Sequence, residues 1–192
     1  MKKVFFGVLL AMADLARWVM LLMLFLPFGA KVSVVFSFVG GLCQTLGYWF
    51  IMRGAEELPQ TQFWHYAGWF SKLLCGYTAA VTILQFVQQM GLFTLHLPSL
   101  VSNILFYVTD LGSFFVMYFC VLGVRDLQHI ARRELFADRI YQCFAIWVVV
   151  RLLASLITGW LYLVAIAAYV LMLVYYGKAA WAYDRRNPYQ PF

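Results

Sequence analysis

The stretch IYQCFAIWVVVRLLASLITGWLYLVAIAAYVLMLVYYG, residues 140–177, decides how this chain is threaded. It carries one interior charge, Arg151, and one break in its apolar character, Thr158-Gly159-Trp160. Read as one helix it is far too long for a hydrocarbon core of about 30 Å. Read as two, Ile140 to Ile157 and Leu161 to Gly177, each half matches the ~17–25 residues that cross a bilayer. The turn then falls at Thr158-Gly159-Trp160.

Upstream, four more segments of similar length stand out: roughly Val4 to Leu26, Val32 to Met52, Phe63 to Val87 and Ser99 to Val124. Across the 192 residues, 65% are hydrophobic and 11% charged. A soluble domain has about 25% charged residues, and one of this size leaves too much surface in water for such a composition. The expected fold class is therefore all-α: a polytopic membrane protein, a bundle of six transmembrane helices with short loops, forming one domain over residues 1–192. No extramembrane segment is large enough to build its own core.

The net charge of +6 is spent in short clusters between apolar runs, the pattern of orientation signals rather than of nucleic-acid binding. With the N-terminus inside, Lys2, Lys3, Arg53, Arg125, Arg132, Arg133, Arg139, Lys178, Arg185 and Arg186 all fall on the cytoplasmic side, and only Lys31 falls outside. Fusing the last two helices would move Lys178, Arg185 and Arg186 outside. The basic residues thus predict six helices with both termini in the cytoplasm. The expected location is a plasma membrane, of a prokaryote, with the lipid bilayer as the main partner and a membrane-protein partner in addition.

Met1-Lys2-Lys3, the apolar run after it and Ala11-Met12-Ala13 together resemble a cleavable signal peptide. The apolar run resumes after Arg17, however, and cleavage at Ala13 would leave too short a stub to span. Retention as a helix is expected. Aromatic clusters mark the interfaces: Phe63, Trp64, Tyr66, Trp69 and Phe70 on the third helix, Trp160 and Tyr162 at the last turn, and Tyr175, Tyr176, Trp181 and Tyr183 beyond it. The Arg125 to Arg139 segment is expected to extend the fourth and fifth helices or to lie on the membrane surface, with Leu127, Ala131 and Leu135 at helical spacing.

Five ionisable residues lie inside the spans: Asp14, Arg17, Lys72, Asp110 and Arg151. Each costs a few kcal/mol at the centre of an inserting helix, so each is expected to be paired or turned toward a polar path. Counted from the cytoplasmic ends, they lie between about 14 and 21 Å deep, a single mid-membrane layer within the uncertainty of one turn. Lys72 and Asp110 sit on consecutive antiparallel helices and are expected to pair. Asp14 and Arg17 are spaced to pair locally, and Arg151 then needs Asp14, Asp110 or carbonyls. Residues repeating every four positions, most of them small, suggest the inward faces of the second helix (Ser33, Ser37, Gly41 and Thr45) and the third (Gly68, Lys72, Gly76 and Ala80), and Gly7, Ala11, Asp14 and Trp18 form a stripe on the first. This charged cluster is the candidate site, either interhelical glue or the lining of a ligand cavity.

Catalytic signatures are missing: there is no Gly-x-Ser-x-Gly, no His-Glu-x-x-His and no phosphate-binding glycine loop. Glu56-Glu57 lies in a loop. His65, His96 and His129 fall on separate loops or interfaces, so no metal and no cofactor is expected. Cys43, Cys75, Cys120 and Cys143 are isolated in apolar runs and read as packing residues. Two functions from different classes fit: a small accessory or assembly subunit, or a solute-binding transport component. In helix number, length and internal termini the chain is similar to the substrate-binding subunits of energy-coupling-factor vitamin transporters, without any shared motif. An intramembrane enzyme fits least.

Overall fold

The computed structural model describes residues 1–12, 30–90, 99–156 and 161–184. Six α-helices lie among them: α1 (Lys2–Met12), α2 (Ala30–Glu56), α3 (Gln62–Gln89), α4 (Ser99–Ala131), α5 (Ala137–Leu156) and α6 (Leu161–Asp184). Three stretches, Gln62–Gln88, Tyr107–Ala131 and Leu163–Asp184, are long and apolar enough to cross a membrane. In α5 the apolar run is diluted by Asp138, Arg139 and Arg151 within 20 residues. The Thr158-Gly159-Trp160 turn lies outside the described residues, but α5 and α6 are separate, antiparallel helices. Trp147 meets Tyr169 at 5.9 Å between ring centroids, and Phe136 meets Tyr175 at 6.2 Å.

Each helix packs antiparallel to the next, and α6 returns to α1 to close the ring. The closest approach is between α1 and α2, where glycines let the backbones touch. A Cβ on Gly7 would lie 2.7 Å from the Gly47 carbonyl oxygen, and one on Gly47 would lie 2.6 Å from the Ala11 Cα. This is the small-residue packing expected of the first helix. At the ring's closure, the Tyr169 hydroxyl donates to the Val8 carbonyl at 3.2 Å, and Phe5 sits edge-on to Trp181 at 5.6 Å.

The antiparallel order gathers the basic residues of the helix ends at one end of the molecule: Lys2, Lys3, Arg53, Arg125, Arg139 and Lys178, with Arg132 and Arg133 between α4 and α5. There they meet carboxylates. Lys2 and the Met1 ammonium each lie 3.6 Å from Asp184, Lys3 pairs with Glu57, and Arg53 lies 3.2 Å from Glu56. Glu56 and Glu57 therefore serve as ion-pair partners. Burial pushes the Met1 ammonium below its ordinary pKa, against the opposing pull of Asp184. The exposed Lys3–Glu57 and Arg53–Glu56 pairs contribute about 0–1 kcal/mol each; they trim the end rather than hold it.

What holds that end is apolar. Val4, Val8, Ile51, Met117, Val124 and Tyr176 fill the ring's centre and are essentially without solvent exposure. The Arg125 to Arg139 segment extends both neighbouring helices, one of the two arrangements expected, and it also adds buried side chains to this core, a burial not expected from the sequence. α4 runs on to Ala131, and Leu127 and Leu135 are both buried. The reversal at residues 132–136 puts two non-glycine residues, Arg132 and Phe136, at positive φ (48° and 56°), which costs roughly 1–2 kcal/mol per residue. The Gln128 side chain helps secure the turn by accepting the Leu135 and Ala137 N–H groups at 3.0 and 3.2 Å.

Two interface expectations change in three dimensions. Trp64 and Tyr176 are buried in the core rather than set at the surface, whereas Tyr66, Trp69 and Trp181 are exposed as anchors would be. The ring of Trp64 lies flat enough on α4 that any Cβ on Gly123 would come within 2.6 Å of it. Trp160 lies outside the described residues.

Candidate functional site

The helix faces sort the candidate charges. On α3 the residues turned into the protein are Ala67, Ser71, Leu74, Thr78 and Thr82. The spacing of 4, 3, 4 and 4 stays on one side of a helix with 3.6 residues per turn, whereas a strict four-residue repeat drifts by about 40° per step. Gly68, Lys72, Gly76 and Ala80 follow that drifting line, and from Lys72 onward they are exposed. The expectation that Lys72 points inward is corrected by this register.

Asp110 is taken by a different cation. An Arg151 guanidinium nitrogen donates to Asp110 Oδ1 at 3.0 Å, with the side chains 17% and 31% exposed. The Lys72–Asp110 pairing is thereby replaced by Arg151–Asp110, one of the partners the sequence left open for Arg151. The reason is geometric: α4 and α5 are antiparallel neighbours as α3 and α4 are, but only Arg151 lies on the shared face. The guanidinium also sits near two aromatic rings, its carbon 5.0 Å from the Phe114 centroid and 5.4 Å from that of Trp147. Such contacts contribute about 0.5–1 kcal/mol at exposed sites and about 2 kcal/mol when desolvated. Asp14 and Arg17 lie outside the described residues.

One turn along α4 from Asp110, a hydrogen-bonded chain crosses the ring. Gln44 Nε2 donates to the Tyr48 hydroxyl at 3.5 Å, Tyr48 lies 2.5 Å from Ser113 Oγ, and Ser113 donates to the Thr109 carbonyl at 2.7 Å. Each hydroxyl has one proton, and this order uses both. Tyr48 is fully buried, so α2 reaches α4 through the protein's interior. Nearby, Thr45 Oγ1 lies 3.1 Å from Thr78 Oγ1 across the α2–α3 contact, as the second helix's small-residue stripe implied. Tyr48 and Ser113 were not among the residues singled out from the sequence. Their signal was faint: isolated hydroxyls within apolar runs.

The other candidates scatter. His65 and His129 are exposed on different helices, and His96 lies outside the described residues. All four cysteines are described and free. Among the described residues no group of His, Cys, Asp and Glu is arranged to hold a metal ion. Lys72 lines a cleft of about 180 Å³ between the end of α2 and the first half of α3, together with Met52, Glu56, His65 and Trp69.

Comparison with protein-family models, curated proteins and solved structures gives no match to this chain. What can be said of its role rests on the arrangement above.

Proposed function

We propose that this chain spans the membrane six times, with both termini and the 125–139 segment in the cytoplasm, and acts as a small accessory or assembly subunit of a membrane complex. A prokaryotic plasma membrane is the location we favour. The observation that carries the functional reading is the Arg151–Asp110 pair. These two charges answer each other between α4 and α5, flanked by Phe114 and Trp147, and the adjacent Gln44–Tyr48–Ser113 chain is closed by its own donors and acceptors. Polar groups used in this way act as glue between helices and ask for no solute. Among the described residues, the core at the charged end is lined mainly by apolar side chains, which supports the same reading.

The test has two parts. Reporter fusions at Lys31 and Phe192 read the topology; a cytoplasmic signal at Phe192 and an external one at Lys31 are expected. Native mass spectrometry from gently solubilised membranes reads the assembly state; a defined hetero-complex is expected. A chain that purifies alone and binds a small solute, with binding abolished by Asp110→Asn, would replace the subunit role with that of a solute-binding transport component.

A further inference from the structure

We propose that the cleft between α2 and α3 holds the phosphate of an anionic membrane phospholipid on the Lys72 ammonium. The inference rests on the membrane-spanning reading and is independent of the subunit role. Lys72 stands about 15 Å along α3 from its first residue, Gln62, a depth at which an unanswered cation is costly. Among the described residues no carboxylate lies within ion-pair distance of it. Asp110 is held by Arg151 at 3.0 Å, and Glu56, on the cleft wall, is held by Arg53 at 3.2 Å. Counting the adjacent Arg53 with Glu56 and Lys72, the charges around the cleft sum to one positive charge, which complements one phosphodiester.

The direction of the side chain fits. Side chains on a helix lean toward its N-terminus, and the N-terminus of α3 lies at the charged end of the molecule. The flexible stem of Lys72 can therefore carry the ammonium along the cleft toward headgroup depth, the behaviour of long cationic side chains near an interface. Gly68, one turn nearer that end, has no side chain to block the path. Its added Cβ would meet only Ala55, at an ordinary 3.5 Å. The exposed indole of Trp69 flanks the route at the position of an interfacial aromatic, and Met52 supplies an apolar wall for the top of an acyl chain. Lys178, at the same end on α6, lines a separate cleft with Phe5, Gly177 and Trp181 and sits beside the Tyr175 ring at 5.6 Å.

The experiment uses the full chain in detergent, with native mass spectrometry and thermal unfolding after addition of phosphatidylglycerol, phosphatidylcholine or inorganic phosphate. One phosphatidylglycerol is expected to remain bound and to raise the unfolding temperature, while phosphatidylcholine and inorganic phosphate do neither. Lys72→Met should weaken phosphatidylglycerol binding by about tenfold or more without changing the lipid-free unfolding temperature. Lys72→Arg should retain binding, and Lys178→Met should match the wild type. Equal binding by Lys72→Met, or equal loss in Lys178→Met, would overturn the site. Equal protection by phosphatidylcholine would overturn its anionic specificity, and equal protection by inorganic phosphate would overturn its lipid source. Alkaline carbonate washing of wild-type membranes separates this from the underlying reading: release of the protein would defeat the membrane-spanning assignment itself.

Discussion

Arg151 and Lys72 are each a cation partway along an apolar helix. The structure treats them oppositely. Arg151 is turned toward α4, bonded to Asp110 and flanked by two rings, whereas Lys72 is exposed on the outer wall of α3. Composition and depth do not separate these cases. A rotation of about 100°, the angle between adjacent residues on a helix, separates a structural ion pair from an outward-facing cation; Ser71, next to Lys72, is fully buried.

The comparison breaks if the two cations prove equivalent. The largest effect is expected from Arg151→Met, which removes the guanidinium from the Asp110 carboxylate. A loss of about 3 kcal/mol is expected, the low end for removing one partner of a buried pair, because Asp110 is partly exposed. Thermal unfolding in detergent reads it. Adding Asp110→Asn to Arg151→Met should restore much of the loss; simple additivity of the two variants would refute the pair.

Glycine substitutions extend the same contrast between inner and outer faces. Gly47→Ala forces a methyl against the Ala11 backbone, and a loss of about 1–3 kcal/mol follows from overpacking. Gly76→Ala, on the outer line of α3 with nothing within 4 Å of its added Cβ, should be neutral or slightly stabilising. A destabilisation equal to that of Gly47→Ala would show that the outer face of α3 is covered. A smaller loss, about 1 kcal/mol, is expected for Tyr48→Phe, which removes one buried hydrogen bond to Ser113; chemical-denaturant midpoints resolve it. Smallest of all is Lys72→Met in lipid-free detergent, within about 0.5 kcal/mol of wild type, as for an exposed side chain with no bonded partner to strand. A loss as large as that of Arg151→Met would place Lys72 inside after all.

Much of this was legible in the chain. The alternation of basic residues and the Thr158-Gly159-Trp160 break separate α5 from α6, because charge and helix length act on each segment by itself. The inner line of α2 was legible too, since Gly41 and Thr45 are small and Thr45 is also polar. On α3 the same rule failed. Small residues occupied both the inner and the outer line, and only the hydroxyls of Ser71, Thr78 and Thr82 marked the buried one. Trp64 shows the same limit from the other direction. An aromatic near a helix start suits an interface, but the bare surface of Gly123 on α4 gave this ring a slot inside.

The sequence by itself determined an all-helical, lipid-compatible chain, the approximate limits of α2 to α6 and the presence of charges within apolar helices. Those follow from transfer free energies and helical rise, which are properties of each segment taken alone. The tertiary structure decided which charge answers which, that Tyr48 reaches Ser113 through the interior, and that Lys72 looks outward. Those depend on the rotation of each helix against its neighbours, and that rotation is set by close packing across pairs of helices, such as Gly7 on Gly47 and Trp64 on Gly123.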